Sequence, residues 1–131
     1  MLPTIAGWNL EVERGPDWVF VRARPHDHDN RNAYHDEDVA NFADQVWAVL
    51  EQSFTYRLVL ELEGVPLLHS RLIGQLVRLS KRVHSHNGVL RLSGLSLENQ
   101  AVLHVCRLDN ALPCFESRGD AVNGNRPSQP R

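Results

Sequence analysis

The chain has 131 residues, 42% of them apolar and 23% charged, with a formal net charge of −2. That length supports one hydrophobic core and that balance is globular, which excludes a disordered or fibrous chain. The slight acidity argues against a nucleic-acid binder, which normally presents a basic face, and no apolar run is long enough to span a bilayer.

The N-terminal stretch MLPTIAGWNL has no basic segment ahead of an apolar core. It does not read as a signal peptide, so a cytoplasmic protein is expected. Cys106 and Cys114 are then expected as two reduced, partly buried thiols rather than a disulfide.

Leu10 to Glu13 alternates apolar and polar residues, the signature of a short strand. Gly15-Pro16-Asp17 is a turn signal, and Trp18 to Ala23 is aromatic and β-branched, a second strand. So short a connection makes the pair antiparallel. Pro25 to Asp38 is polar and aperiodic and reads as a loop. From Val39 the spacing of Val39, Phe42, Ala43, Val46, Trp47 and Leu50 predicts an amphipathic helix. Asp36, Glu37 and Asp38 stand at its start, where negative charge suits the dipole and caps free N–H groups.

A buried strand is predicted over Leu58 to Leu62. A short loop then delivers His69 and Ser70 to a helix that carries Ile73, Leu76, Val77 and Val83 on one side. Asn87-Gly88 ends that helix, and Val89 to Leu92 is the next strand. Ser96 caps a short helix with Glu98 in its first turn and Leu97, Ala101, Val105 and Leu108 as its apolar face. Pro113 breaks the chain ahead of a very short strand over Cys114 to Glu116. From Arg118 the sequence turns polar and rich in Gly and Pro, with one helical turn around Asp120 to Val122 and a frayed tail over 123–131.

The order β-β-α-β-α-β-α-β predicts an α/β domain over residues 1–122. Its sheet has four to five strands, mostly parallel with right-handed crossovers and an antiparallel edge, and its helices pack mainly on one face.

This order and its landmarks resemble the STAS domain, the family of bacterial anti-sigma factor antagonists. The family shows an apolar strand, a Gly-Val, then two apolar residues, Asp-Ser, Ser or Thr, and Gly-x-Gly opening a helix. Here the segment reads Gly64-Val65-Pro66-Leu67-Leu68-His69-Ser70-Arg71-Leu72-Ile73-Gly74, and Glu61 stands where the family often has an acidic strand residue. Leu90 to Ser96 is similar to the family's next strand and helix start, and Leu103 to Asp109 to its penultimate turn. The resemblance spans about residues 8 to 122.

The resemblance implies a non-enzymatic regulator that works by partner switching. The unphosphorylated antagonist binds an anti-sigma factor, usually a serine kinase, and phosphorylation of a serine at the helix start breaks that complex until a phosphatase restores it. Ser70 matches the phosphoacceptor by position. Pro66, Leu67, Leu68, His69, Ser70, Arg71 and Gly74 become the expected partner-binding surface. His69, Arg71 and Leu72 depart from the family's Asp, Ser or Thr, and Gly. The alternative they motivate is a degenerate STAS scaffold or complex subunit, in a signalling assembly or a transport complex, without phosphorylation.

Other readings of the residues compete. Ser70 is also a good N-cap, and one hydroxyl can both cap and accept a phosphate. His69 beside it lacks an acidic orienter, and no G-x-S-x-G elbow supports a serine hydrolase. His26, His28 and His35, interleaved with Asp27, Asp29 and Asp36, admit a metal-dependent hydrolase, but without a recognised ligand spacing the solvated loop is the simpler reading. His84 and His86 at a helix end suit the dipole without a metal. No glycine-rich phosphate loop is present, and no cofactor is expected.

Overall fold

The computed structural model describes residues 8–25, 41–65 and 67–124. Strand β1 (Trp8–Arg14) and strand β2 (Val19–Pro25) form the antiparallel hairpin, with Val12 opposite Val21. Helix α1 (Phe42–Ser53), strand β3 (Arg57–Glu61), helix α2 (Ser70–Ser85), strand β4 (Val89–Ser93), helix α3 (Leu97–Val105), strand β5 (Cys114–Phe115) and helix α4 (Arg118–Asn123) follow. The five strands lie in the order β1-β2-β3-β4-β5, and every pair after the hairpin is parallel. The fold is the expected α/β sheet with an antiparallel edge.

The period of two along each strand decides the layers. Val19, Val21, Ala23, Leu58, Leu60, Leu90 and Leu92 point to one face and enter the main core. There they meet Phe42, Val46 and Leu50 of α1 and Leu72, Leu76, Leu79 and Val83 of α2. The intervening residues Phe20, Val59 and Val89 point to the other face, where a smaller cluster forms with Trp18, Phe115 and Ala121 of α4. The main helices therefore cover one face and α4 covers one end of the other.

Several boundaries have local causes. The start of the first helix expected at Val39, and its acidic caps Asp36 to Asp38, lie outside the described residues. The described helix begins after Asn41, whose side chain caps nothing. Gln75 of α2 supplies the missing acceptor, taking a 2.9 Å hydrogen bond from Ala43 N–H. Helix α2 ends as predicted around Asn87-Gly88. Asn87 takes a left-handed φ of 60° and donates to the His84 carbonyl, and Gly88 donates to that of Val83. This pair of bonds satisfies the carbonyls of the last turn. A side chain at Gly88 would collide with the Tyr56 carbonyl.

Helix α3 departs from expectation. Ser96 does cap it, accepting from Asn99 N–H at 3.1 Å. Of the face expected to be apolar, Leu97 is 82% exposed, Val105 is 79% exposed and Ala101 is exposed, while Leu108, beyond the helix end, packs half-buried against the core. The helix instead buries Asn99 and Leu103. The reason is polar: buried Asn99 is needed by the loop before α2, and its position rotates the helix. The same outward turn leaves Cys106 exposed rather than partly buried, while Cys114 is half-buried; neither is in a disulfide.

The helical turn expected around Asp120 to Val122 is present as the longer helix α4, and the tail expected over 123–131 lies, beyond Gly124, outside the described residues. Ser117 caps α4, its hydroxyl accepting from Asp120 N–H at 3.2 Å. Arg91 closes the other end, donating to the Ala121 carbonyl at 2.6 Å, where a cation meets the negative end of the helix. Arg118 itself is anchored to the sheet, as described below.

Candidate functional site

The site is built where β3 hands over to α2. Leu62 N–H continues the ladder by donating to the Ser93 carbonyl at 3.0 Å, and Val65 N–H closes a turn onto the Leu62 carbonyl at 3.1 Å. Val65 and Leu68 are buried, so the loop is held by two apolar pegs. Between them the backbone cannot pair with a strand, and its polar groups need another partner. Asn99, fully buried on α3, supplies it. Its Oδ1 accepts from Leu68 N–H at 3.0 Å and its Nδ2 donates to the Val65 carbonyl at 3.4 Å.

His69 then lies in extended conformation (φ −83°, ψ 158°), and its carbonyl accepts the first helical bond, from Ile73 N–H at 2.9 Å. His69 is therefore the N-cap residue, though its side chain makes no capping bond. Ser70 is the first helical residue, one position inside the cap that the sequence predicts for it. At that position its hydroxyl cannot fold back onto the free N–H groups of the first turn as a cap would. Ser70 is exposed, and among the described residues its hydroxyl has no hydrogen-bond partner.

The other expected surface residues divide. Leu67 (49% exposed), His69, Arg71 and Gly74 are exposed around Ser70, and nothing crowds Gly74. Leu68 is buried in the core and anchors the loop. Pro66 lies outside the described residues. So does the loop with His26, His28 and His35, interleaved with Asp27, Asp29 and Asp36. Among the described residues no three His, Cys, Asp or Glu side chains converge to hold a metal.

Behind the site, on the second face of the sheet, Glu61 ends β3 and is 3% exposed. Arg118 of α4 grips both its oxygens, Nε to Oε2 at 2.6 Å and the terminal amine to Oε1 at 3.1 Å. The same guanidinium reaches Glu13 at 2.8 Å and lies over the Phe20 ring. Arg22 Nε approaches Glu61 at 3.4 Å as an ion pair without hydrogen-bond geometry. The hydrogen bonds that Arg118 donates to Glu61 raise its pKa above the ordinary arginine value, with burial opposing and Glu13 assisting. Glu11, Val12, Glu13, Arg22 and Arg118 line a hollow of about 80 Å³.

Glu61 is legible in the sequence as an acidic strand residue. Its partner Arg118, fifty-seven residues on, lies where the sequence turns polar and rich in Gly and Pro. Asn99 gives no signal beyond a polar residue early in a short helix.

A five-stranded mixed sheet with α1 and α2 on one face defines a class of small α/β domains. The STAS domain model matches residues 36–121, and the chain belongs to that family. No curated protein matches the chain. Among solved structures it is similar to a putative anti-sigma factor antagonist from Thermotoga maritima, with a TM-score of 0.71 and 19% identity over 90% of this chain and 95% of that one. It is also similar to an anti-sigma-factor antagonist (STAS) domain protein from Planctomyces limnophilus, with a TM-score of 0.70 and 23% identity over 88% and 97%. A chain from the stressosome, described as a signal integration and transduction hub, gives a TM-score of 0.66 and 14% identity over 88% and 95%. At these identities the likeness is one of fold.

Proposed function

We propose that the protein is an anti-sigma factor antagonist, a non-enzymatic binding protein whose complex with an anti-sigma factor or a related serine kinase is switched by phosphorylation of Ser70. The observation that supports this most is the placement of Ser70. Its hydroxyl is exposed, makes no hydrogen bond among the described residues and is relieved of capping, so it has no structural task. A phosphate there adds about −1.5 to −2 charges beside the free N–H groups of α2, where the fold tolerates it while the surface is transformed. The partner sits over Leu67, His69, Ser70, Arg71 and Gly74, with Pro66 in the same loop and Leu68 as its buried anchor. The anti-sigma factor antagonists of similar fold support the choice of partner.

A second reading, a scaffold or subunit of a larger assembly without phosphorylation, is favoured by Leu97, Ala101 and Val105. These form an exposed apolar stripe at helical spacing that the fold itself leaves uncovered. Phosphate mapping on the protein isolated from its native host separates the two. A stoichiometric phosphate on Ser70 supports the switch, and its persistent absence across growth conditions supports the scaffold.

A further inference from the structure

Helix α2 is charged in one sign only. Its sixteen residues include Arg71, Arg78, Lys81 and Arg82 and no Asp or Glu. Arg82 is turned toward α1, where it donates to Asp44 at 2.8 Å and lies over the Trp47 ring. Arg71, Gly74, Arg78, Lys81 and Ser85 are all exposed. Their spacing of three, four, three and four lays them along a single outward row. Neither Arg78 nor Lys81 has an ion-pair partner among the described residues.

This row works against the helix that carries it. Like charges a turn apart repel, and Arg71 sits at the positive end of the helix dipole. Packing does not demand it either, because Leu72, Leu76, Leu79 and Val83 fill the core from the opposite side. No acidic side chain of the helix itself offsets the row. A nucleic acid would need a broadly basic protein, whereas this chain has a net charge of −2. Half-exposed Leu67, in the loop that leads into the row, adds apolar surface. Arginine mixed with apolar side chains is the composition of a protein–protein interface.

We infer that the row from Arg71 to Ser85 docks an acidic segment of a partner protein, with carboxylates meeting Arg78 and Lys81. The partner's identity rests on the anti-sigma reading above; its charge does not. A phosphate on Ser70 stands at the head of the same row. There it repels the acidic segment and draws Arg71 to itself, which gives the modification a direct way to oppose binding.

The first test is a titration of the full chain with poly-L-glutamate, followed by amide chemical shifts. The shifts are expected along Arg71, Gly74, Arg78, Lys81 and Ser85, to vanish in half-molar salt and to be lost in R78E/K81E. Lys81 is the chain's only lysine, so its protection from an amine-acylating reagent reads the same coverage. No shifts, shifts elsewhere, tighter binding to a duplex DNA or to phosphatidylglycerol vesicles, or a dimer formed through the row would each overturn the assignment. The second test uses the purified anti-sigma serine kinases of the host. R78E/K81E is expected to slow their association about tenfold at low salt. A kinase that binds wild type and R78E/K81E alike contradicts the row and leaves the anti-sigma reading standing. Binding of poly-L-glutamate with no kinase bound does the reverse.

Discussion

The side chain of Asn99 does for Leu68 what a neighbouring strand does for a strand residue: its Oδ1 accepts the Leu68 N–H at 3.0 Å across 31 residues of sequence. The amide nitrogen of the same side chain reaches the Val65 carbonyl. One buried amide thus fixes the path of the loop that presents Ser70. Asn99→Ala removes both partners and leaves a buried donor and acceptor unsatisfied. It is expected to lower stability by about 1–3 kcal/mol. Urea unfolding measures that loss, and hydrogen exchange at the Leu68 amide is expected to accelerate by more than the global change accounts for.

The grip of Arg118 on Glu61 ties α4 to the sheet. Removing the arginine alone leaves a carboxylate that is nearly inaccessible to water, with only the longer Arg22 contact remaining. Arg118→Met is expected to cost about 1–3 kcal/mol, below the full value of a broken buried pair because Arg118 is partly solvated and Arg22 stays. Glu61→Gln in the same background is expected to recover part of the loss. A double-mutant cycle by chemical denaturation reads the coupling between the two residues.

The two sides of α3 predict opposite outcomes. Leu97→Ser with Val105→Ser exchanges solvent-exposed side chains and is expected to change stability by no more than about 0.5 kcal/mol. Leu103→Ala empties a core position and is expected to cost about 2–5 kcal/mol. Thermal unfolding of the two variants side by side checks the orientation of the helix. Loss of a larger assembly in cells with the first variant, without loss of stability, would show what the exposed stripe is for.

Most of the architecture is legible in the sequence because single-face patterns are strong. Val46, Leu50, Leu76 and Val83 mark their helices by spacing, and Leu58, Leu60, Leu90 and Leu92 mark their strands as short apolar runs between turn signals. The expectation for α3 fails because spacing says which residues share a side, not whether that side faces in. A buried asparagine with two backbone partners outweighs three apolar side chains left in water. Arg118 gives no signal in its polar stretch because its worth lies in Glu61, far away in sequence. Ser70 is misplaced by a single position, yet that position separates a capping hydroxyl from a spare one. The helical conformation starts at Ser70 because His69 remains extended and accepts the first helical bond through its own carbonyl.

If Ser70 has no structural duty, its loss is silent for the fold. Ser70→Ala is expected to shift stability by no more than about 0.5 kcal/mol, whereas an N-cap serine would cost about 1 kcal/mol. Denaturant unfolding distinguishes the two.

The most direct test of the switch is a calorimetric titration of an anti-sigma serine kinase from the native host with three forms of the chain: wild type, Ser70→Ala and Ser70→Asp. The expected result is equal affinity for wild type and Ser70→Ala and markedly weaker binding of Ser70→Asp. Equal affinity for all three forms would contradict a switch at Ser70.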